Sequence, residues 1–243
     1  MRITARHHID LGDEGARALG PTLLSAKAWD ALRLDGPGGD PFTIPQDRVI
    51  WIERCLEDAT VVRRAEEVAS LARSLGVRRL FSLGVGCAWL EYNLKRVDPS
   101  LHLTCTDFAP GGIERLRSVF VECDETLRFD MLEDDFPQGP DMYLLHRIDT
   151  ELDDRQWREV FSRMGRTGVR HLLFIPSGIL GPRTWARERA RAFVSWIRMR
   201  RLVFAGYLRT EARFRALWDG LYCVVWAGSL GGLRGFLLQP AES

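Results

Sequence analysis

Lysine is nearly missing from this chain. Lys27 and Lys95 are its only lysines, so the 34 residues that Lys and Arg contribute together are almost all arginine, a bias of coding more than of function. Net charge is missing as well, because 33 acidic residues leave a formal charge of +1. Wholesale nucleic-acid binding, which wants an excess of basic charge, gets no support from that total. Paired cysteines are also absent. Cys55, Cys87, Cys105, Cys123 and Cys223 are odd in number, widely spaced and without a C-x-x-C pair. Neither a disulfide framework nor a zinc site follows, and a reducing cytoplasm is the expected compartment. No apolar run is long enough to span a bilayer, and "MRITARHHIDLGDEG" lacks the apolar core of a signal peptide, so no membrane is expected. Nothing near His7 and His8 completes a metal set. No metal is expected, and both histidines should face solvent.

What is present suits a globular protein. The 243 residues are 46% hydrophobic and 28% charged, enough to fill the core of one sizeable domain or a domain with an added cap. The Gly- and Pro-rich "LDGPGGDPFTIP", Leu34 to Pro45, reads as a loop between an N-terminal helical piece and a helical stretch that begins after Asp47, an expected N-cap. That stretch runs to Gly76, either whole or broken near Thr60. Residues 1–75 are therefore expected to form a helical cap, and residues 76–243 the main domain.

From Gly76 onward short apolar strands alternate with helices. "RRLFSL", "LHLTCTD", "LRFD", "DMYLLH" and "HLLFIP" are the expected strands, and such alternation implies a parallel sheet covered on both faces. "LYCVVWAG" and "RGFLLQP", joined by "SLGGL", should pair as a C-terminal antiparallel hairpin. The expected fold class is α/β, a Rossmann-like, seven-stranded, mostly parallel sheet with that hairpin, an N-terminal helical cap and an inserted helix. The insertion, residues 178–201, carries Arg183, Arg187, Arg189, Arg191, Arg198, Arg200 and Arg201 among Phe193, Val194, Trp196 and Ile197. It reads first as an amphipathic helix with a solvated basic face. It also reads as a lid at the sheet's ligand-binding edge.

The most informative stretch is "LFSLGVGCAWLE", Leu80 to Glu91, where an apolar strand runs into two glycines. A phosphate-binding loop needs a Lys-Ser/Thr pair that is absent. A dinucleotide fingerprint needs a small residue where Trp89 stands, and its ring would block close strand–helix approach. Gly84, Gly86 and Ala88 instead form G-x-G-x-A directly after a strand. On these residues, with Asp107 at the end of "TCTD", the chain resembles the class I S-adenosylmethionine-dependent methyltransferases.

The resemblance runs from about Leu80 to Pro176 and resumes at the tail. It implies S-adenosylmethionine as cofactor and S-adenosylhomocysteine as product. It implies that Ser82, Gly84, Val85, Gly86 and Ala88 cradle the methionine end, with Asp107 accepting from the two ribose hydroxyls and Phe108 beside it. Asp130 would hold the adenine amino group, and Met131 would pack its ring. Ser82 departs from the acidic residue usual at its position, and Ala88 from the third glycine. His146 ends the fourth strand, either as a general base or as a residue that contributes only backbone. The run Asp149, Glu151, Asp153 and Asp154 reads as the cap of the next helix rather than as a metal site.

The expected function is methyl transfer to a small-molecule substrate on oxygen, nitrogen or carbon, by a monomer or homodimer. The N-terminal helices and the insertion would form one lid, placing Trp51, Arg147, Trp185 and Trp196 near the acceptor. Two alternatives stay open: methylation of a peptide or RNA gripped by the arginine helix, and a catalytically silent binding protein of the same fold.

Overall fold

A computed structural model of the chain describes residues 2–9, 19, 21–36, 42–198 and 202–241, the side chains of Asp35 and Trp196 excepted. Arg200, Arg201 and the Trp196 side chain lie outside the described residues. The chain opens with strand β1 (Thr4–Ile9) and helices α1 (Ala26–Asp35), α2 (Arg48–Glu57) and α3 (Ala59–Ser74). Alternation follows through β2 (Arg79–Leu83), α4 (Trp89–Val97), β3 (His102–Asp107), α5 (Pro110–Val119) and β4 (Glu125–Arg128). It continues with β5 (Met142–His146), α6 (Asp154–Gly165) and β6 (His171–Ile175). Helix α7 (Pro182–Ile197), β7 (Val203–Arg209), α8 (Glu211–Trp218), β8 (Tyr222–Leu230) and β9 (Leu233–Pro240) complete the order.

Seven strands form the main sheet in the order β4-β3-β2-β5-β6-β9-β8. The first five are parallel, and β9 and β8 close the edge antiparallel, which is the expected architecture. The central strands "RLFSL", "MYLLH" and "HLLFI" are buried almost throughout because helices cover both faces. On one face Trp51, Val61 and Val68 join Leu80, Leu103 and Leu144 in a single cluster, so α2 and α3 share the core of the sheet. On the other, Trp157, Phe161, Phe174 and Phe236 share a second cluster, in which Trp157 and Phe161 each meet Phe174 edge to face. Helix starts follow local chemistry. The Asp47 carboxylate accepts from Val49 and Ile50, Asp58 divides α2 from α3, and Asp153 forms a capping box with Gln156.

Several expectations need correction. The third strand lies earlier than "LRFD", at Glu125–Arg128. The first segment is not helical: β1 pairs antiparallel with β7, Thr4 opposite Arg209 through Ile9 opposite Val203. His7 and His8 are half-buried rather than exposed, with His7 Nδ1 3.0 Å from a Glu188 carboxylate oxygen. The β1–β7 ribbon docks at the C-terminal edge of the main sheet. There the Tyr207 N–H donates to the Thr150 carbonyl at 2.8 Å. Gly206 has φ +108°, and a Cβ on it would collide with that carbonyl, so the crossing needs a glycine. Arg209 is fully buried and donates to Asp154, to the Asp149 carbonyl and to the Leu152 carbonyl, which fixes the ribbon to the loop after β5.

Trp51 does not stand at a pocket either. It is fully buried against Tyr92 and Phe120, and its indole N–H donates to the Cys87 carbonyl at 3.0 Å. Its role is to hold the glycine loop from behind. Trp51→Ala should destabilise the protein by ~3–5 kcal/mol, whereas Trp51→Phe, which keeps the ring but drops the donor, should cost only ~1–3 kcal/mol. Urea unfolding measures both.

Candidate functional site

The loop after β2 is built to expose its backbone. Gly84, Gly86 and Ala88 all have positive φ, at 62°, 59° and 56°. The Val85 N–H donates to the Thr106 carbonyl and the Ala88 N–H to the Val85 carbonyl, so the loop is tied to β3 and turned tightly into α4. Ala88 caps α4 without a side-chain acceptor, which leaves the first turn's N–H groups facing the adjacent space.

Two cavities open at this edge, of about 240 and about 200 Å³, and Gly84 and Glu151 line both. Gly84, Val85, Gly86, Ala88, His146 and Arg147 line the first, where Trp29, Arg33, Phe42 and Glu91 join them. Phe108, Asp130 and Met131 line the second with Phe129 and Gln156. Of the residues picked from sequence for the cofactor, all but Ser82 and Asp107 line one of these cavities. Ser82 is fully buried and faces neither cavity; its hydroxyl donates to Glu91 at 2.7 Å. The Trp185 ring is half-exposed and lines a third cavity against β1, apart from the glycine loop. Among the described residues, none of the insertion lines either cavity at the glycine loop. The cover of the first cavity is α1 with Trp29 and Arg33, together with Phe42 and Val61.

Asp107 lies behind the glycine loop and is 1% exposed. One carboxylate oxygen accepts from the Gly86 N–H at 3.1 Å and the other from the Ala109 N–H at 3.0 Å. The Arg33 guanidinium pairs with the same group at 2.6 Å, its side chain only 5% exposed. Burial works against the Arg33 charge, but Asp107 outweighs it and raises the Arg33 pKa. The Arg33 guanidinium also lies 5.0 Å over the Trp29 ring.

Around this pair the titratable groups are perturbed by burial. Glu91 is 1% exposed, and desolvation, opposed by its Ser82 hydrogen bond, pushes its pKa up to about 7. Desolvation and the nearby Asp107 charge push Glu151 up to about 8. His146 moves the other way, well below its usual value, through desolvation and then Arg64 and Arg147. An Arg64 guanidinium nitrogen lies 3.4 Å from His146 Nε2. At neutral pH His146 is an uncharged ring with Nε2 turned toward a cation. Arg147 is exposed at the cavity mouth with φ 60°, a strained backbone held by the N–H bond to the Ile175 carbonyl.

Arg33, Glu91 and Glu151 are the residues that sequence reading missed. Glu91 had a signal: in "AWLEYNL" it sits three residues before core-facing Leu94, where a carboxylate needs a reason. Glu151 was absorbed into a capping run that belongs to Asp153 alone. Arg33 had no signal, because its partner is 74 positions away.

No family model and no curated protein matches the chain. Solved structures do. Mitomycin 7-O-methyltransferase MmcR aligns at TM-score 0.58 and 23% identity over 78% of this chain and 56% of that one. Human N-acetylserotonin methyltransferase, solved with SAM, aligns at 0.52 and 17% over 95% and 65%. Magnesium protoporphyrin IX methyltransferase from Synechocystis PCC 6803, solved with SAH, aligns at 0.60 and 11% over 89% and 99%. The fold is that of the class I S-adenosylmethionine-dependent methyltransferases. The chain spans little more than half the length of several of these neighbours, MmcR among them.

The raised Glu151 pKa has a consequence for stability. Between pH 4.5 and 8 the unfolded chain loses this proton while the folded protein keeps it, so folding weakens as pH rises through that window. Glu151→Gln removes this dependence. Its unfolding midpoint should rise relative to the parent protein as pH goes from 5 to 8, and the two should coincide near pH 4.

Proposed function

We propose that the chain transfers a methyl group from S-adenosylmethionine to a small-molecule acceptor and releases S-adenosylhomocysteine. The observation that carries this reading is the pair of cavities meeting at Gly84, above an exposed-backbone loop and beside the carboxylate that ends β3. Such a crevice beyond the carboxyl ends of parallel strands is where α/β sheets take their ligands. The second cavity has the apolar walls an adenine ring needs in Phe108, Phe129 and Met131, with Asp130 at its rim. In this reading Asp107 accepts from the ribose hydroxyls and the Gly84–Gly86 backbone lies along the methionine portion. Glu91 sets a negative charge beside it where Ser82 cannot.

When bound, the donor supplies a methyl on a positively charged sulfur that becomes neutral as the methyl leaves. The protein's main task is then alignment in a dry site. Trp29, Phe42 and Val61 wall the first cavity and exclude water. His146, neutral and facing Arg64, orients an acceptor rather than stripping a strongly held proton from it. Arg147 offers a charge at the mouth. The arginine-bearing α7 packs on β1 and lines neither cavity, so nothing favours a gripped peptide or RNA.

One observation favours a second reading, a silent binding protein of the same fold: Asp107 is already paired with Arg33. Titration calorimetry separates the two. S-Adenosylmethionine and S-adenosylhomocysteine should both bind, and Asp107→Ala should abolish measurable binding while the far-ultraviolet circular dichroism stays native. Gly86→Val should do the same, because φ 59° strains a side chain and the valine would fill the ligand's space. Unchanged affinity in either folded variant refutes this cofactor site.

A further inference from the structure

The Arg33–Asp107 pair lies against Gly86 at the wall of the first cavity. Gly84 and Glu151 form their common wall, and Arg33 lines the first cavity only. A Cβ placed on Gly86 would meet the Arg33 guanidinium, Nη2 at 3.5 Å and Cζ at 3.9 Å. The space that the glycine keeps open is therefore occupied by the chain's own arginine. A ligand in the first cavity that reaches past Gly86 to Asp107 meets that guanidinium.

Resting on the function proposed above, we propose that Arg33 is an access-controlling residue. It latches α1 over the middle of the site by holding Asp107, and a ligand that uses Asp107 must displace it. The competition favours the latch at rest, because a buried guanidinium–carboxylate pair is charge-assisted while sugar hydroxyls offer neutral donors. The anchoring of α1 fits a movable element. Ala28 packs in a satellite cluster with Leu23 and Val203, separate from the two clusters that hold the sheet. On the site side α1 packs on α5, where Leu34 and Asp30 stand against Gly111, and the Thr43 hydroxyl donates to the Leu32 carbonyl at 3.1 Å. The Asp30 carboxylate accepts from the Gly112 N–H at 2.9 Å, and the Arg33 carbonyl accepts from the Ile44 N–H at 2.9 Å. An element whose core is separate from that of the sheet can open at lower cost than the sheet itself. Affinity is then reduced by the fraction of molecules whose latch is closed.

The test is titration of S-adenosylmethionine into the parent protein, Arg33→Met and Asp30→Ala, with hydrogen exchange of residues 26–35 followed with and without ligand. Methionine keeps the arginine's apolar stem without its charge. Asp30→Ala loosens α1 without touching Asp107, and it decides the matter if Arg33→Met does not fold. The expected result is at least tenfold tighter binding by Arg33→Met, a smaller gain by Asp30→Ala, and ligand-accelerated exchange of α1 in the parent protein. Binding by the variant alone, with none by the parent, supports the latch in its strongest form. Equal or weaker binding by folded Arg33→Met, with α1 exchange unchanged or slowed, overturns the latch and leaves the proposed function standing. Absence of binding by all three proteins overturns both.

Discussion

Asp107 ends β3 with a carboxylate that three separate parts of the chain reach at once. The Gly86 N–H fixes the loop after β2, the Ala109 N–H fixes the turn into α5, and Arg33 brings α1 across the edge. The first two bonds are local consequences of a strand ending beside a glycine loop. The third joins residues far apart in sequence and places the N-terminal helix over the crevice. A buried charged pair of this kind is weak evidence of net stability, because desolvation offsets most of the attraction. It is strong evidence of register, since either partner alone would leave an uncompensated charge inside.

The backbone around this node is prepared for a partner other than protein. Positive φ at Gly84, Gly86 and Ala88 turns the loop while leaving its peptide groups at the surface of the cavity. Trp51 supports that loop from the opposite side through the Cys87 carbonyl. Ile148 closes over the first glycine, its side chain 2.5 Å from where a Cβ on Gly84 would stand. The crevice at rest is thus narrowed by the Ile148 side chain over Gly84 and by the Arg33 side chain over Gly86. Side chains on loops and on a separately anchored helix can be moved at less cost than strands can.

Most of the sheet was legible because its strands are short apolar runs punctuated by glycine and by acidic caps, so type and order follow from local chemistry. The hairpin was legible for the same reason. The strands β1 and β7 were not. "TARHHI" carries four polar residues in six and "VFAGYLR" holds a glycine, and their pairing spans the length of the chain. Asp107 was legible from its place at a strand end, and the cavities gather most residues named with it. Arg33, Glu91 and Glu151 matter through space rather than through spacing, which no local pattern encodes. The error over Trp51 and Trp185 has one cause. Aromatic residues on helices look alike in sequence whether they fill a core, line a pocket or face solvent.

The charges inside the crevice set a condition on whatever fills it. Glu91, Asp107, Asp149 and Glu151 lie around the loop and the end of β5, and burial, with repulsion from Asp107 added to it, raises the pKa of both Glu91 and Glu151. Arg33 is the cation that eases this crowding, lowering the Glu151 pKa as it pairs with Asp107. A neutral ligand that pushed Arg33 aside would leave the buried Asp107 carboxylate without its cation. A ligand carrying its own positive charge replaces what it displaces. A sulfonium with a neighbouring ammonium meets that condition. Glu91, whose only side-chain partner among the described residues is the Ser82 hydroxyl, is the carboxylate best placed to receive such a charge from the first cavity. Nine residues after Ser82, in the first turn of α4, Glu91 accepts from the hydroxyl that stands in the strand.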